Sequence, residues 1–326
     1  MILDAKTYKI NIGKNNTNEL KEFLNDYKGN KVALFSDENI YSIYEYHIKS
    51  FLDDFEVFFY IFPQGEKSKS IENYEASLNF LSENNFTRSD LIIGFGGGVT
   101  GDLAGFVAST YLRGVSYIAV PTSLLSMVDS SVGGKTGINL ANLKNQVGSF
   151  YFPDYVHIDT SYLETLENRE IKSGLGEIIK YSLLKDGEIF NLIKNKNLDF
   201  EEIIYRSLKV KLFFVDGDEY DKGKRQYLNL HISHGQAVAI GIYIMTKISQ
   251  NIGYCKNNLA KDLKVIYDIH GLQTTYPLDR IKVSNIISHD KKIANGKINL
   301  IFPIALGESI DKKYELDEFL NLLDLI

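Results

Sequence analysis

The stretch that most constrains the fold of this chain is the glycine-rich segment GFGGGVTGD at residues 94–102. It follows the apolar run 91–93 and leads into the apolar run 103–109. A buried strand that ends in glycines and continues into a helix can bring backbone N–H groups against a phosphate at the helix N-terminus. The segment therefore predicts a dinucleotide site, and a tight strand-to-helix turn without a ligand is the alternative.

Polar, glycine-rich and basic residues return after the next apolar segment of the chain. Residues 117–121 are apolar and are followed by 122–125, by VDSSVGGKT at 128–136 and by KNQVGSF at 144–150. Open α/β sheets keep their ligands at the carboxyl ends of their strands. The recurrence favours a ligand site built from several strand ends.

Length and composition restrict the class of protein. The 326 residues are enough for two domains, and the formal net charge of −6 argues against a general polyanion-binding surface such as that of a nucleic-acid-binding protein. A single cysteine, Cys255, excludes an internal disulfide, and no apolar stretch reaches the roughly 20 residues that cross a bilayer. The first residues lack the apolar core of a signal peptide. We therefore expect a cytoplasmic enzyme with no membrane and no nucleic-acid partner.

The periodicity of apolar residues changes near residue 155. Before it, apolar strands alternate with helical spacing, which predicts an α/β, Rossmann-like nucleotide-binding domain over residues 1–155. After it, three-to-four spacing dominates and predicts a mostly α-helical domain over 156–326. Helices are expected at Glu164–Lys185, Gly187–Lys196, Phe200–Val215, Gln236–Asn251 and Leu259–Tyr267. We expect the active site in the cleft between the two domains.

Charged residues at two predicted helix entrances have competing interpretations. Asp37 and Asn39 follow the buried strand 31–35, where such groups often hold a ribose, yet Ser36 or Asp37 could simply cap the next helix. Glu66 and Lys69 lie three residues apart, a spacing that also suits a surface ion pair.

Two charged groups stand out in the predicted helical half. Glu177 and Lys180 lie one turn apart in an otherwise apolar segment, and an unpaired buried charge is too costly to keep, so they form either a paired solvated face or a site. His234 begins HGQAVAIG at a helix start, where a histidine alone is more often a cap or surface group than a metal ligand.

The central block of the chain resembles the 3-dehydroquinate synthase family. The resemblance rests on GGGVTGDLAGFVASTYLRG at 96–114, PTSLL at 121–125 and VDSSVGGKTG at 128–137, and it extends from SDENI at 36–40 to DKK at 290–292. It implies NAD as cofactor, one divalent metal ion (zinc or cobalt) and a homodimer. The implied substrate is 3-deoxy-D-arabino-heptulosonate 7-phosphate, which is converted to 3-dehydroquinate and phosphate.

The resemblance also implies a reaction sequence for the shikimate pathway of aromatic amino-acid biosynthesis. Bound NAD⁺ transiently oxidises the C5 carbinol with the metal as Lewis acid, phosphate leaves by β-elimination, and the cofactor returns the hydride. Ring opening and an intramolecular aldol then close the carbocycle. Such an enzyme would be a phosphorus–oxygen lyase that consumes no NAD.

Residue roles carried over from the family motifs fall into three groups. The substrate and catalytic positions are Arg113, Asp129, Lys135, Asn145, Lys180, Lys211, Arg225, Asn229, and Lys291 and Lys292, of which one should reach the phosphate. The cofactor positions are Asp37, Asn39, Gly65, Glu66, Lys69, Gly97, Gly98, Val99, Asp102, Thr122, Ser123, Leu125, Asp129, Lys144, Tyr162 and Thr165. The metal ligands are Glu177 and His234.

The chain departs from the family pattern after Leu230. A GHTxGHA-type motif and the helix that follows it are absent, and with them one metal ligand and a second active-site histidine. Three explanations are open: the natural protein contains the segment and the 326 residues omit it, the gene carries a true deletion, or His231 replaces the ligand. Catalytic zinc normally keeps three protein ligands, so Glu177 and His234 alone would form a weak site.

Other functions compete with the synthase reading. Sugar-phosphate cyclases that make inososes or valiolones share the cofactor and metal, whereas glycerol and iron-type alcohol dehydrogenases have no use for the phosphate-facing Lys and Arg set. A chain that truly lacks the metal segment could instead be a non-catalytic NAD-binding relative with a structural or regulatory role.

Overall fold

The computed structural model describes residues 1–27, 29–141, 143–217, 233–255, 258–277 and 297–325. They divide into two compact units, the first formed by residues 1–167 with the segment that begins at Lys211, and the second by the remainder. The predicted domain ranges, 1–155 and 156–326, stay a prediction. Within the described residues, no helix is both long enough and apolar enough to cross a membrane.

The first unit is built on a seven-stranded sheet with the order β1-β2-β9-β6-β5-β3-β4. Only the edge pair β1–β2 is antiparallel, and the other neighbours are parallel. The strands of this sheet are β1 (Ile2–Asp4), β2 (Lys9–Gly13), β3 (Lys31–Asp37), β4 (Glu56–Phe62), β5 (Leu91–Gly96), β6 (Ser116–Pro121) and β9 (Tyr155–Asp159).

The central strands are buried along their length and mainly apolar, although β9 also buries the polar side chains of His157 and Asp159. Every residue of β5 and every residue of β9 is buried. Parallel sheets with helices on both faces need such continuous apolar runs rather than alternation. The carboxyl ends of β3, β5 and β6 therefore meet at one edge, where the polar segments of the sequence begin.

Helices and one hairpin complete the first unit. The helices are α1 (Thr17–Leu24), α2 (Glu38–Phe51), α3 (Ile71–Glu83) and α4 (Gly98–Thr110). The antiparallel hairpin of β7 (Lys135–Leu140) and β8 (Leu143–Phe150) was not predicted from the sequence. It packs tightly on α4, since a Cβ added at Gly105 would lie 2.5 Å from Thr136 Cγ2.

The second unit is mainly helical, as predicted, with one additional hairpin. Its elements are α5 (Asn168–Leu184), α6 (Gly187–Ile193), the first part of α7 (Phe200–Gly217), α8 (His234–Asn251), α9 (Leu259–His270), β10 (Lys297–Ala305), β11 (Glu308–Glu315) and α10 (Leu316–Leu322). The core joins α8 to the β10–β11 hairpin through Ile240, Ile244, Ile248, Leu300 and Phe302.

Two predicted helix starts were wrong. Residues 160–165 form a 3-10 turn, capped by the Asp159 side chain on the Ser161 N–H, and the extended backbone of Leu166 separates it from α5. Helix α8 starts at His234 instead of Gln236. Ser233 is its N-cap, and the Ser233 and Gln236 side chains form a capping box there.

Candidate active site

The glycine-rich segment forms the strand-to-helix turn that the sequence predicts. β5 ends at Gly96, and Gly97 is the N-cap of α4 with no side-chain cap of its own. A Cβ at Gly96 would lie 2.4 Å from Thr100 Oγ1, whereas the nearest atom to a Cβ at Gly97 is Ser123 Oγ at 3.6 Å. Gly96 is therefore required by packing, and Gly97 leaves space beside the first N–H groups of the helix.

A pocket opens at this turn. Its lining brings together Gly97 and Gly98 with Ser130 and with Lys135 and Thr136 at the start of β7. Thr122, at the end of β6, donates its N–H to Gly96 O at 2.9 Å, and Ser123 follows it beside Gly97. The structure thus places Lys135, Thr122 and Ser123 at the glycine turn.

Asp37 ends β3 and caps α2. Its Oδ1 accepts the N–H groups of Asn39 and Ile40, each at 3.0 Å. The capping interpretation is confirmed, and it uses one of the two carboxylate oxygens. Burial raises the pKa of Asp37, against the opposing effect of these two hydrogen bonds.

Lys69 is the centre of a buried polar network. Only 4% of its side chain is exposed, and Nζ lies 2.5 Å from Asp102 Oδ2 and also donates to Asn145 Oδ1. Glu66 Oε1 lies 3.8 Å from the same Nζ, and Glu66 Oε2 lies 3.5 Å from Lys144 Nζ. The two predicted cofactor motifs and Asn145 are therefore joined by one ammonium group.

Burial has the largest effect on the pKa of Asp102, the acid that pairs with Lys69. Burial raises the pKa of Asp102 to about 6, although the Lys69 ammonium opposes this shift and the nearby Glu66 and Asp129 carboxylates reinforce it. Gly65, which precedes Glu66, has a φ of 107°, a conformation that favours glycine.

A second buried ion pair links Asp129 to α7. Asp129 lies in the π-helical turn Ser126–Ser130, and its Oδ1 is 2.5 Å from Lys211 Nζ. The two side chains are only 14% and 8% exposed. Two predicted site residues 82 positions apart in sequence are therefore in direct contact.

The remaining predicted cofactor and substrate positions of the first unit vary in their surroundings. Tyr162 is 3% exposed, packs on Phe95 and Tyr44, and its hydroxyl lies 3.1 Å from His47 Nε2. Thr165 Oγ1 lies 2.6 Å from Tyr44 Oη. Val99 lies in the first turn of α4, and Leu125 lies just before the π-helical turn Ser126–Ser130. Arg113 is exposed and has a φ of 68°.

In the second unit, Glu177 and His234 come together across α5 and α8. Glu177 is fully buried, its Oε1 lies 3.0 Å from His234 Nε2, and Lys180 Nζ donates to its Oε2. The helices can approach this closely because glycines face each other: a Cβ at Gly176 would lie 2.0 Å from Gly235 O. The predicted pair of metal ligands is therefore adjacent.

The Glu177–His234 pair has the chemistry of part of a divalent-metal site. Carboxylate oxygen and imidazole nitrogen suit zinc and cobalt, and two ligands about 2.0–2.2 Å from one tetrahedral ion are roughly 3.3–3.5 Å apart. The observed 3.0 Å separation is close to that value. Across the described residues, no group of three or more His, Cys, Asp or Glu is placed to hold a metal, so these two would be only part of the ligand set.

Some predicted positions cannot be compared with the structure, and one position was missed. Arg225, Asn229, His231, Lys291 and Lys292 lie outside the described residues. Asn139, which the sequence analysis did not select, contacts both Glu66 and Asn145. Its only sequence signal is a polar side chain between two recognised motifs.

The parallel sheet with its glycine turn, together with a helical unit that holds a Glu–His–Lys cluster, defines a fold that two solved synthases share. The structure of 2-epi-5-epi-valiolone synthase from Streptomyces hygroscopicus, with NAD⁺ and Zn²⁺ bound, matches with a TM-score of 0.87 and 20% identity, over 99% of this chain and 97% of that one. A 2-deoxy-scyllo-inosose synthase complexed with carbaglucose-6-phosphate, NAD⁺ and Co²⁺ matches with a TM-score of 0.87 and 19% identity, over 99% of both chains. At this identity the likeness shows the fold alone.

The sequence comparisons define the family. The 3-dehydroquinate synthase N-terminal family model matches residues 59–173, and the C-terminal one matches 174–231 and 230–293. The 3-dehydroquinate synthase of Clostridium acetobutylicum is 36% identical, over 100% of this chain and 99% of its own length. The chain belongs to the 3-dehydroquinate synthase family. The resemblance, the fold class and the activity predicted from the sequence are confirmed.

The same comparisons bear on the departure after Leu230. The C-terminal family match is split into two pieces that overlap at residues 230 and 231. The alignment with the C. acetobutylicum protein covers 353 positions, whereas the chain has 326 residues, so at least 353 − 326 = 27 positions lack a counterpart here.

Proposed function

We propose that the chain converts 3-deoxy-D-arabino-heptulosonate 7-phosphate to 3-dehydroquinate and phosphate as an NAD- and metal-dependent phosphorus–oxygen lyase. The observation that carries the proposal is the Glu177–His234–Lys180 cluster. In it, the buried Glu177 carboxylate contacts the His234 imidazole, with which it could hold a metal, and also the Lys180 ammonium group.

NAD fits the first unit. The turn at Gly97 offers unsubstituted backbone beside the N-terminus of α4, and Asp37 ends the neighbouring strand β3 with one carboxylate oxygen outside its cap contacts. Both features suit a pyrophosphate and a ribose. The two cyclase structures with the same fold contain NAD⁺, which supports the same cofactor here.

A divalent metal fits the second unit through Glu177 Oε1 and His234 Nε2. The cyclase structures contain Zn²⁺ or Co²⁺, and either ion suits this donor pair. When bound, NAD supplies a reversible hydride acceptor and the metal supplies Lewis acidity.

The chain's own residues supply charge and position. Lys180 keeps its ammonium beside Glu177, where the positive charge would attract an anionic or hydroxyl group of the substrate. Lys211 is oriented by Asp129, and Lys135 lines the pocket beside Gly97. Each of these two ammonium groups would hold an anionic group of the substrate. Fixed donors of this kind stabilise developing charge without reorganisation.

The proposed function also includes further substrate contacts, an oligomeric state and a location in the cell. We expect Arg113 and Asn145 to complete the substrate contacts, together with Arg225, Asn229 and Lys291 or Lys292. A homodimer and a cytoplasmic location remain predictions.

The proposal is tested by phosphate release from the heptulosonate phosphate with NAD⁺ and zinc or cobalt, with a chelator-treated sample alongside. We expect metal-dependent release without net NADH. The corresponding heptulose 7-phosphate, which lacks the carboxylate, separates this activity from that of a valiolone-type cyclase. Absence of release despite measurable NAD binding would overturn the proposal in favour of a non-catalytic NAD-binding relative.

A further inference from the structure

Asn139, near the end of β7, connects three segments of the first unit. Its backbone N–H donates to Lys69 O at 2.7 Å. Its side-chain Nδ2 donates to Glu66 Oε1 at 3.0 Å and lies 3.3 Å from Glu66 O. Its side-chain Oδ1 accepts the backbone N–H of Asn145 at 2.9 Å.

These contacts determine which way the amide points. Oδ1 must face the Asn145 N–H, because a nitrogen there would set one N–H donor against another, and Nδ2 must face the two oxygens of Glu66. The position therefore needs a donor and an acceptor on one short side chain. Aspartate keeps the acceptor but loses the donor, and alanine loses both.

Asn145 depends on this support. It lies on an exposed part of the hairpin, and its φ of 53° is in the left-handed region, which asparagine adopts more readily than most residues other than glycine. Its backbone N–H is held by Asn139, and its side-chain Oδ1 accepts from Lys69. Together these contacts direct the Asn145 side chain at the buried Lys69–Asp102 pair.

We propose that Asn139 is a positioning residue that locks Asn145 against the Lys69–Asp102 pair and holds Glu66 beside it, so that the cofactor motif and a substrate-binding amide move as one body. The inference rests on the proposed function for the roles of Asn145 and Glu66. The network itself rests only on the contacts of Asn139. A displacement of about 1 Å at such a site can cost about a hundredfold in rate.

The test compares Asn139→Asp, Asn139→Ala and the matched control Asn191→Asp. Asn191 is exposed on α6, and its Nδ2 also donates to a glutamate carboxylate, Glu188 Oε2, at 3.3 Å. We expect kcat/KM to fall about 10- to 100-fold in both Asn139 variants and to stay unchanged in the control. We also expect weaker NAD⁺ binding by the Asn139 variants, because Glu66 loses its donor.

The pH dependence separates positioning from a general loss of structure. In Asn139→Asp, the introduced carboxyl regains a donor when protonated, so its kcat/KM relative to the parent should rise as the pH falls from about 8 to about 6. For Asn139→Ala this ratio should stay flat. A flat ratio for both variants, with a parallel loss of thermal stability, would assign Asn139 a structural role only.

Hydrogen exchange gives a readout that does not need turnover. The Asn145 amide should lose protection in Asn139→Ala and keep it in Asn139→Asp, where the acceptor remains. If the parent protein shows no turnover, the proposed function fails while this comparison still tests the network. Equal protection of the Asn145 amide in all variants would overturn the inference.

Discussion

Among single residues, Asp102 shows how burial and pairing oppose each other. Its carboxylate is 19% exposed and lies 2.5 Å from Lys69 Nζ, an attraction that by itself lowers the pKa of a carboxyl. The effect of burial is nevertheless larger than that of the Lys69 ammonium, and the pKa of Asp102 is raised to about 6. An acid with a raised folded-state pKa contributes stability that is fully present at low pH and is lost as the pH rises through that value.

The pH dependence of stability is therefore predicted to change when Asp102 is replaced. We expect the unfolding free energy of the ligand-free parent, minus that of Asp102→Asn, to fall between pH about 4 and about 7. The total fall is up to about 3 kcal/mol, since one pKa unit corresponds to about 1.4 kcal/mol. Urea unfolding of both proteins across this range measures it, and a pH-independent difference would contradict the assignment.

Lys180 is predicted to matter for chemistry rather than for cofactor binding. Its Nζ contacts Glu177 in the second unit, whereas the glycine turn belongs to the first. We expect Lys180→Ala to lower kcat at least about a hundredfold and to leave the Kd for NAD⁺ nearly unchanged. Steady-state kinetics and NAD⁺ titration check this, and a loss of less than about tenfold would remove Lys180 from the mechanism.

Among elements, the crossing of α5 and α8 sets the candidate metal site. A Cβ at Gly235 would lie 1.7 Å from Ser173 O, so the two helices touch through their backbones at this point. Glu177 directly follows Gly176, and His234 directly precedes Gly235. The close approach of the two helices therefore holds Glu177 Oε1 and His234 Nε2 3.0 Å apart. Any side chain at the crossing must push the helices apart.

Gly176→Ala is predicted to destabilise the second unit by about 1–3 kcal/mol, because overpacking outweighs the gain of up to about 1 kcal/mol in helix propensity. It should also lower zinc retention. Gly241→Ala is the matched control, since it lies in α8 and a Cβ there meets nothing within 4 Å. Denaturant midpoints and zinc content measure both effects. Equal stability of the two variants would show that the helices do not meet at Gly176.

For the whole molecule, the affinity of the proposed metal site is expected to depend on the departure from the family pattern after Leu230, where the C-terminal family match is split. Glu177 and His234 would supply two ligands to a kind of site that normally has three. Loss of even an outer-sphere partner of a metal ligand costs about 10- to 100-fold in affinity. A direct ligand should be worth more.

We therefore predict that insertion of the unmatched segment of the C. acetobutylicum relative between residues 230 and 231 raises zinc affinity by more than about a hundredfold. An insertion with its histidines replaced by alanine is the control. Competitive zinc titration measures the change, and intact mass verifies the 37.0 kDa parent. Stoichiometric tight zinc binding by the parent would contradict the prediction and favour His231 as the replacement ligand.

The sequence alone determined the local features of this protein. The glycine turn, the buried strands β3, β5 and β6 and the Glu177–Lys180 pair follow from neighbouring residues, because backbone freedom, apolar runs and one-turn spacing act over a few positions. The family motifs then identified the activity. The start of α5 was mispredicted because the cap at Asp159 and the extended Leu166 interrupt a helical pattern.

Only the tertiary structure decided which distant side chains meet. Glu177 and His234 are 57 positions apart, and Asp129 and Lys211 are 82 apart, so the motifs suggested common sites but no contacts. Asn139 became visible only when the β7–β8 hairpin brought it against Glu66. Such contacts depend on how helices cross and how a hairpin packs, and these are set by the summed packing of many residues rather than by any local pattern.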